Sequence, residues 1–176
     1  MIIEKNIISN LILQSTNMKQ QNIAVATKIF ALLFFICSSC KAQTSANTRL
    51  AEAQRSIAKA NAIYFELYAK NDGSILNLYT NDACLLPPNA PAICGREALA
   101  KDFKDTYAAG TVKSGKFTTL NIYGDGHQYV TEEGLWQVYG ADGKLIDEGK
   151  FLKLWKKTKE GWKMFRDSFN SDRAGK

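Results

Sequence analysis

Apolar residues recur at alternating spacings of three and four over Leu50–Leu67. The members of this stripe are Leu50, Ala53, Ile57, Ala60, Tyr64 and Leu67. Side chains spaced in this way share one face of an α-helix, so the pattern predicts a helix of about six turns. Ser45 or Asn47 can cap its start. Asn71–Gly73 ends it, and a short second helix follows over Ile75–Tyr79.

The next segment contains a turn, a short strand and a third helix. Asn81–Asp82 predicts the turn, and Ala83–Leu86 is an apolar strand stopped by the prolines of Pro87–Pro88. Gly95 opens the helix, which ends near Gly110. Its inward side chains are Leu99, Phe103 and Tyr107.

After Gly110 the pattern becomes that of strands joined by glycine-containing turns, which predicts an antiparallel meander. The predicted strands are Lys116–Tyr123, His127–Tyr139, Leu145–Lys157 and Trp162–Asn170. The connections are Gly124–Gly126, Ala141–Gly143 and Lys159–Gly161. The order of elements is α-α-β-α-β-β-β-β. This order predicts an α+β fold, with three N-terminal helices packed on a bent antiparallel sheet.

Two of these strands carry apolar residues on both faces. Neighbouring strand residues point to opposite sides, yet Leu135 and Trp136 are both apolar, as are Leu154 and Trp155. A sheet that is apolar on both faces has something packed on its second side. A homodimer through the outer sheet face is the partner that this pattern favours.

The N-terminal segment has the features of an export signal. Lys19 and Lys28 form a basic region before an apolar run, Ile29–Ile36, which is too short to span a bilayer. The small residues that follow resemble a bacterial lipobox in which Cys40 is acylated. Cys37 departs from that pattern, since a leucine-like residue is usual there.

The alternative to lipidation is ordinary cleavage after Ala42. Either reading predicts an exported protein: a periplasm-facing lipoprotein held at the membrane by its N-terminal lipid, or a soluble periplasmic protein. The expected organisation is an upstream mis-start (1–17), a signal peptide (18–42), a linker (43–46), the domain (47–172) and a short tail (173–176).

Charge and cysteine content exclude several classes of function. The chain carries +6, and the part from Cys40 onward carries +4, with its lysines interleaved among apolar strand residues. This is typical of a solvated strand face, so no nucleic-acid partner is predicted. His127 is the single histidine and excludes a histidine-rich metal site, so no metal and no cofactor are predicted. Cys84 and Cys94 form either a disulfide or two small buried apolar positions.

Two stretches carry a family resemblance. Leu78–Ala83 and Gly95–Leu99 resemble the first half of ketosteroid-isomerase-like and SnoaL-like domains. Gly149–Trp155 and Gly161–Asp172 resemble the uncharacterised exported bacterial branch of the same nuclear transport factor 2-like superfamily. The resemblance covers about residues 55–172. It implies a strongly bent sheet wrapped around the first helix, forming a cone with an apolar pocket.

The resemblance argues against steroid isomerisation. The position of the isomerases' carboxylate base falls at Pro87, which has no titratable group. The position of their helix-borne oxyanion tyrosine falls at Ile63, one residue before Tyr64. The expected function is therefore a module that binds a small apolar or amphipathic molecule. The alternatives are an enzyme that performs cofactor-free acid–base chemistry on a carbonyl compound, and an oligomerisation scaffold.

Five residues are candidates for the site. Asp167 and Glu133 are the candidate acid–base residues; Asp167 lies between Phe165 and Phe169 on the same strand parity, and only one of Glu132 and Glu133 can face the pocket. The candidate ligand contacts are Tyr64, Tyr68 and Trp136, with core packing as the alternative for each.

Overall fold

The computed structural model describes residues 47–173. Helix α1 covers residues 47–70, a 3₁₀ helix covers Ser74–Leu78, and helix α2 covers Arg96–Ala108. The strands are β1 (Tyr79–Leu86), β2 (Ile93–Cys94), β3 (Ser114–Tyr123), β4 (Tyr129–Tyr139), β5 (Leu145–Thr158) and β6 (Gly161–Ser171). No helix within these residues is long and apolar enough to cross a membrane.

The six strands form one strongly curled, unclosed sheet in the order β2-β1-β6-β5-β4-β3. The meander β3-β4-β5-β6 is antiparallel as predicted. Strand β1 pairs in parallel with β6, so the sheet is mixed rather than wholly antiparallel. The parallel pair arises because β1 is joined to the meander through α2 rather than through a hairpin. The predicted α+β fold class is confirmed.

Two boundaries differ from the prediction around β1. The second helix is a five-residue 3₁₀ helix, and Tyr79 belongs to the strand that follows it. Asn81 and Asp82 lie within β1 and are exposed, in a stretch where the pairing with β6 shifts register between Tyr79 and Cys84. Where the register of a strand is irregular, two consecutive polar residues can both be exposed. In the sequence such a pair looks like a turn.

The predicted stripe of α1 is the core of the domain. Ala53 and Ile57 are fully buried, and Ala60 and Tyr64 are nearly so. At the end of the helix the buried position is Tyr68, whereas Leu67 is half-buried. The stripe therefore continues with a step of four after Tyr64, as the 3.6-residue helical repeat allows.

A bulge in β6 changes which of its residues face inward. Trp155 of β5 pairs with Met164, but Leu154 pairs with Arg166, so Phe165 is an extra residue in the strand. Asp167 and Met164 are consequently both buried on the inner face. The ring of Phe165 lies on the other side, against Tyr129, Lys156 and Arg166.

Candidate ligand-binding site

A cavity of about 580 Å³ lies between the two helices and the inner face of the sheet. Such a volume is within the range of small-molecule sites in proteins. Most of the lining is apolar, and the aromatic members are Tyr64, Phe65, Tyr68, Phe103, Phe117, Trp136, Phe151 and Phe169.

Glycines in the sheet make room for two of the lining rings. A Cβ atom on Gly134 would lie 2.4 Å from the ring of Phe151, its cross-strand neighbour. A Cβ atom on Gly115 would lie 2.4 Å from the ring of Phe65. Glycine within a strand permits such a close approach, so these rings can pack closely against the sheet.

Asp167 is at the end of a hydrogen-bonded chain of hydroxyl groups. Tyr79 Oη donates to Asp167 Oδ2 over 2.8 Å, and the hydroxyls of Tyr64 and Tyr79 are 3.2 Å apart. Burial, followed by the charge of Asp167, raises the pKa of both tyrosines well above the usual value. Both hydroxyls therefore stay protonated at neutral pH. Tyr64 and Asp167 line the cavity. Tyr79 does not line it, but its hydroxyl contacts both of them.

Lys153 lies behind the aromatic wall. It is 1% exposed, and its Nζ atom is 3.3 Å from the ring centroid of Phe117 and 4.3 Å from that of Phe151. Across the strands it stands between Glu132 and Asp167. Burial lowers the pKa of the Lys153 ammonium, and the two carboxylates oppose that change.

Glu132 joins the sheet to α1 behind the same wall. It is fully buried and accepts hydrogen bonds from Asn61 Nδ2 at 2.6 Å, Thr119 Oγ1 at 2.6 Å and Trp155 Nε1 at 2.9 Å. A buried carboxylate requires such partners, because its charged oxygens have lost their water. Glu132 therefore has a structural role behind the cavity.

A second polar position in the cavity consists of Tyr68 and Asp102. Tyr68 is 7% exposed, and its hydroxyl has no hydrogen-bond partner among the described residues. Burial raises the pKa of Tyr68, and the nearby charge of Asp102 raises it further. The pKa of Asp102 is itself raised, first by burial and then by Asp105. Both Tyr68 and Asp102 line the cavity.

Glu133 does not line the cavity. It faces the outer side of the sheet, where it accepts hydrogen bonds from Tyr123 Oη at 2.7 Å and Asn121 Nδ2 at 3.3 Å. Since neighbouring strand residues face opposite sides, the inward carboxylate of this pair is Glu132. Glu133, which was expected to be an acid–base residue of the pocket, therefore lies on the face of the sheet opposite the cavity.

Trp136 and the two domain cysteines contribute to the walls. The indole Nε1 of Trp136 donates to the carbonyl oxygens of Lys150 and Asn170, at 3.2 and 3.1 Å, which leaves its ring to line the cavity. Cys84 and Cys94 form a disulfide between β1 and β2. This bond closes the loop that carries Pro87 to the cavity rim.

Of the two positions that correspond to catalytic residues of the isomerases, one lines the cavity and the other does not. Pro87 lines the cavity and supplies no titratable group there. Ile63 is 41% exposed and does not line it, whereas Tyr64, the next residue, does. Cys40 and the leader lie outside the described residues. Among residues 47–173, no group of three histidine, cysteine or acidic side chains could hold a metal ion.

Two inward residues, Lys153 and Asp102, were not predicted from the sequence, and only Lys153 had a signal there. Phe151, Lys153 and Trp155 share one strand parity, so Lys153 sits on an apolar face. A lysine between two aromatic residues of the same parity indicates a buried cation. Asp102 had no comparable signal, because α2 is mostly polar and exposed.

The curled sheet around α1 matches many solved structures. One is a ketosteroid isomerase-like protein from Erwinia carotovora, with 19% identity, a TM-score of 0.57, and coverage of 73% of this chain and 99% of that one. The domain has the nuclear transport factor 2-like fold.

Two further structures with this fold are similar. An NTF2-like protein from Novosphingobium aromaticivorans has 16% identity and a TM-score of 0.60, over 75% of this chain and 90% of that one. An NTF2-like protein of unknown function from Shewanella oneidensis has 18% identity and a TM-score of 0.56, over 66% and 97%. No family model and no curated protein matches the chain.

Proposed function

We propose that this domain is a binding module for a small apolar or amphipathic molecule. The observation that carries the proposal is the cavity of about 580 Å³, which combines aromatic walls with two separate polar positions. Apolar pockets orient their ligands through a few placed polar groups. Here those groups are the chain Tyr64–Tyr79–Asp167 and the pair Tyr68 and Asp102.

The test is occupancy of the cavity by a small molecule in the purified intact protein. Thr106 is exposed and lines the cavity on α2, so Thr106→Trp adds bulk at the rim without disturbing the core. Lys104→Trp makes the same addition on that helix at an exposed position outside the lining. We expect native mass spectrometry to show a bound molecule in the wild type and in Lys104→Trp, with occupancy at least about tenfold lower in Thr106→Trp. A wild-type protein that carries no molecule and does not bind added octanol would contradict the proposal.

A second candidate is cofactor-free acid–base chemistry on a carbonyl compound. It is favoured by Asp167, a carboxylate 4% exposed that lines an apolar cavity and is linked to two tyrosine hydroxyls. A tyrosine hydroxyl in such a cavity can donate to a developing oxyanion, and of the two tyrosines Tyr64 lines the cavity. A base at Asp167 would lie on β6, which pairs with β1, the strand that leads to Pro87.

We expect no isomerisation of a β,γ-unsaturated ketosteroid above background, measured by ultraviolet absorbance of the conjugated product. The reason is that a general base must lie within hydrogen-bond reach of the proton it removes, and Pro87 provides none. Turnover that disappears in Asp167→Asn would replace the binding proposal with the enzymatic one. Turnover that persists in this variant would mean that a different group is the base.

The outer sheet face is proposed as a homodimer interface. Leu120, Leu135 and Leu152 are 51%, 40% and 55% exposed on β3, β4 and β5. Large apolar side chains grouped on one sheet face are typical of an interface. Trp155 does not contribute, since it is buried on the inner face. Sedimentation velocity over a micromolar concentration range would detect the dimer, and a monomer throughout would exclude it.

Export and lipid anchoring through Cys40 are proposed from the leader, which lies outside the described residues. The disulfide between Cys84 and Cys94 supports export, because such bonds persist in oxidising compartments. The mass of the mature N-terminus decides between lipidation at Cys40 and cleavage after Ala42.

A further inference from the structure

The cavity contains acidic side chains without a basic counterpart. Asp102, Asp147 and Asp167 line it, and among the lining residues of the described range 47–173 there is no lysine, arginine or histidine. A ligand with a carboxylate or phosphate group would meet like charges there, whereas a cation would be attracted.

The basic groups nearest to these carboxylates lie outside the cavity. Lys153 is behind the rings of Phe117 and Phe151, and its charge lies between Asp167 and Glu132. Arg173 Nε is 3.7 Å from Asp147, which also accepts from the hydroxyl of Ser171 and the backbone of Glu148. The carboxylates of Asp147 and Asp167 thus already have partners within the protein.

Asp102 differs from the other two carboxylates. No ion pair or hydrogen bond to its side chain is found within residues 47–173. The lysine next to it, Lys101, pairs with Asp105 on the exposed side of α2. Asp102 is therefore a half-buried carboxylate in the cavity lining that forms no ion pair with any of the described residues.

The hydroxyl of Tyr68 provides an independent observation. Tyr68 lines the same cavity as Asp102, and its buried hydroxyl has no partner among the described residues. A buried polar atom without a partner is costly, on the order of 1–3 kcal/mol, so its persistence points to a partner that the ligand supplies. The hydroxyl oxygen can accept a hydrogen bond from an N–H group.

We propose that the ligand is an amphipathic amine, bound as its ammonium cation with the nitrogen at Tyr68 and Asp102. The ammonium donates hydrogen bonds to the Tyr68 hydroxyl oxygen and to the Asp102 carboxylate. The alkyl or aryl part occupies the aromatic walls, where Tyr64 and Phe103 lie on the two helices. The rings also attract the cation through their faces. This inference rests on the proposed binding function and names its ligand class.

Three probes with the same alkyl chain test the inference: octylamine, octanol and octanoate, titrated into the intact protein by calorimetry at pH 7. We expect octylamine to bind about tenfold more tightly than octanoate and about fivefold more tightly than octanol. Equal binding of octanol, or tighter binding of octanoate, overturns the amine proposal and leaves the binding module standing. If none of the three binds, both proposals fall.

Variants on α2 locate the head group. Asp102→Asn should weaken octylamine binding about fivefold or more and change octanol binding less than about twofold. Glu97→Gln removes a carboxylate charge from an exposed position of the same helix, outside the cavity lining, and should leave both affinities unchanged. Equal losses in the two variants would indicate general surface attraction and overturn the proposal. Tyr68→Phe should weaken octylamine binding while leaving octanoate unaffected.

Discussion

Replacement of Glu132 by alanine should destabilise the domain by about 3–5 kcal/mol, the range found when one member of a buried charged cluster is removed. Glu132 accepts hydrogen bonds from Asn61, Thr119 and Trp155, which would all lose their acceptor. The buried Lys153 would also lose one of its two flanking carboxylates. Urea unfolding at pH 7, followed by circular dichroism, measures the loss.

The next residue in the chain provides the control. Glu133 faces the outer side and bonds to the exposed side chains of Tyr123 and Asn121. Glu133→Ala should therefore change the free energy of unfolding by less than about 0.5 kcal/mol, as is usual at surface positions. Comparable losses in the two variants would show that the inner and outer faces of β4 have been assigned incorrectly.

Ile57→Ala should cost about 2–5 kcal/mol, because it removes a fully buried aliphatic group from the centre of the core. The side chain lies on the inner stripe of α1, in the core cluster with Val130 and Trp155, and close-packed neighbours relax only partly into such a gap. The same urea experiment measures this loss, with an unchanged dependence on urea concentration showing that only stability has altered.

A second isoleucine on the same helix makes the comparison direct. Ile63 is 41% exposed and lies off the stripe. Ile63→Ala should cost less than about 1 kcal/mol, since little of its surface is removed from water on folding. An Ile63→Ala loss as large as that of Ile57→Ala would contradict the helical register. Leu67→Ala should fall between the two, because Leu67 is only half-buried.

Much of the fold could be predicted because its signals are local. The stripe of α1, including Ile57, follows from helical spacing, and the meander follows from glycine turns between strands of alternating pattern. The parallel pairing of β1 with β6 could not be predicted in this way. Its partners, such as Leu85 and Asp167, are far apart in the chain, and no local pattern encodes their contact.

The site was predictable only in part, for the same reason. Tyr64 and Tyr68 share a helix face, so spacing alone places them together. Which of Glu132 and Glu133 faces inward depends on which face of β4 packs against α1. Tyr68 is on α1 and Asp102 is on α2, and both line the cavity. The periodicity within one helix does not reveal which residues of another helix lie nearby.

The bulge at Phe165 affects how β6 can tolerate changes in length. Because Phe165 is the surplus residue opposite Leu154, its deletion would produce a regular strand in which Met164 and Asp167 still face inward. Deletion of Ser168 would instead turn Phe169 outward and bring Asn170 to the cavity side. The bulge is thus a position at which the chain can lose one residue while the cavity keeps its carboxylate.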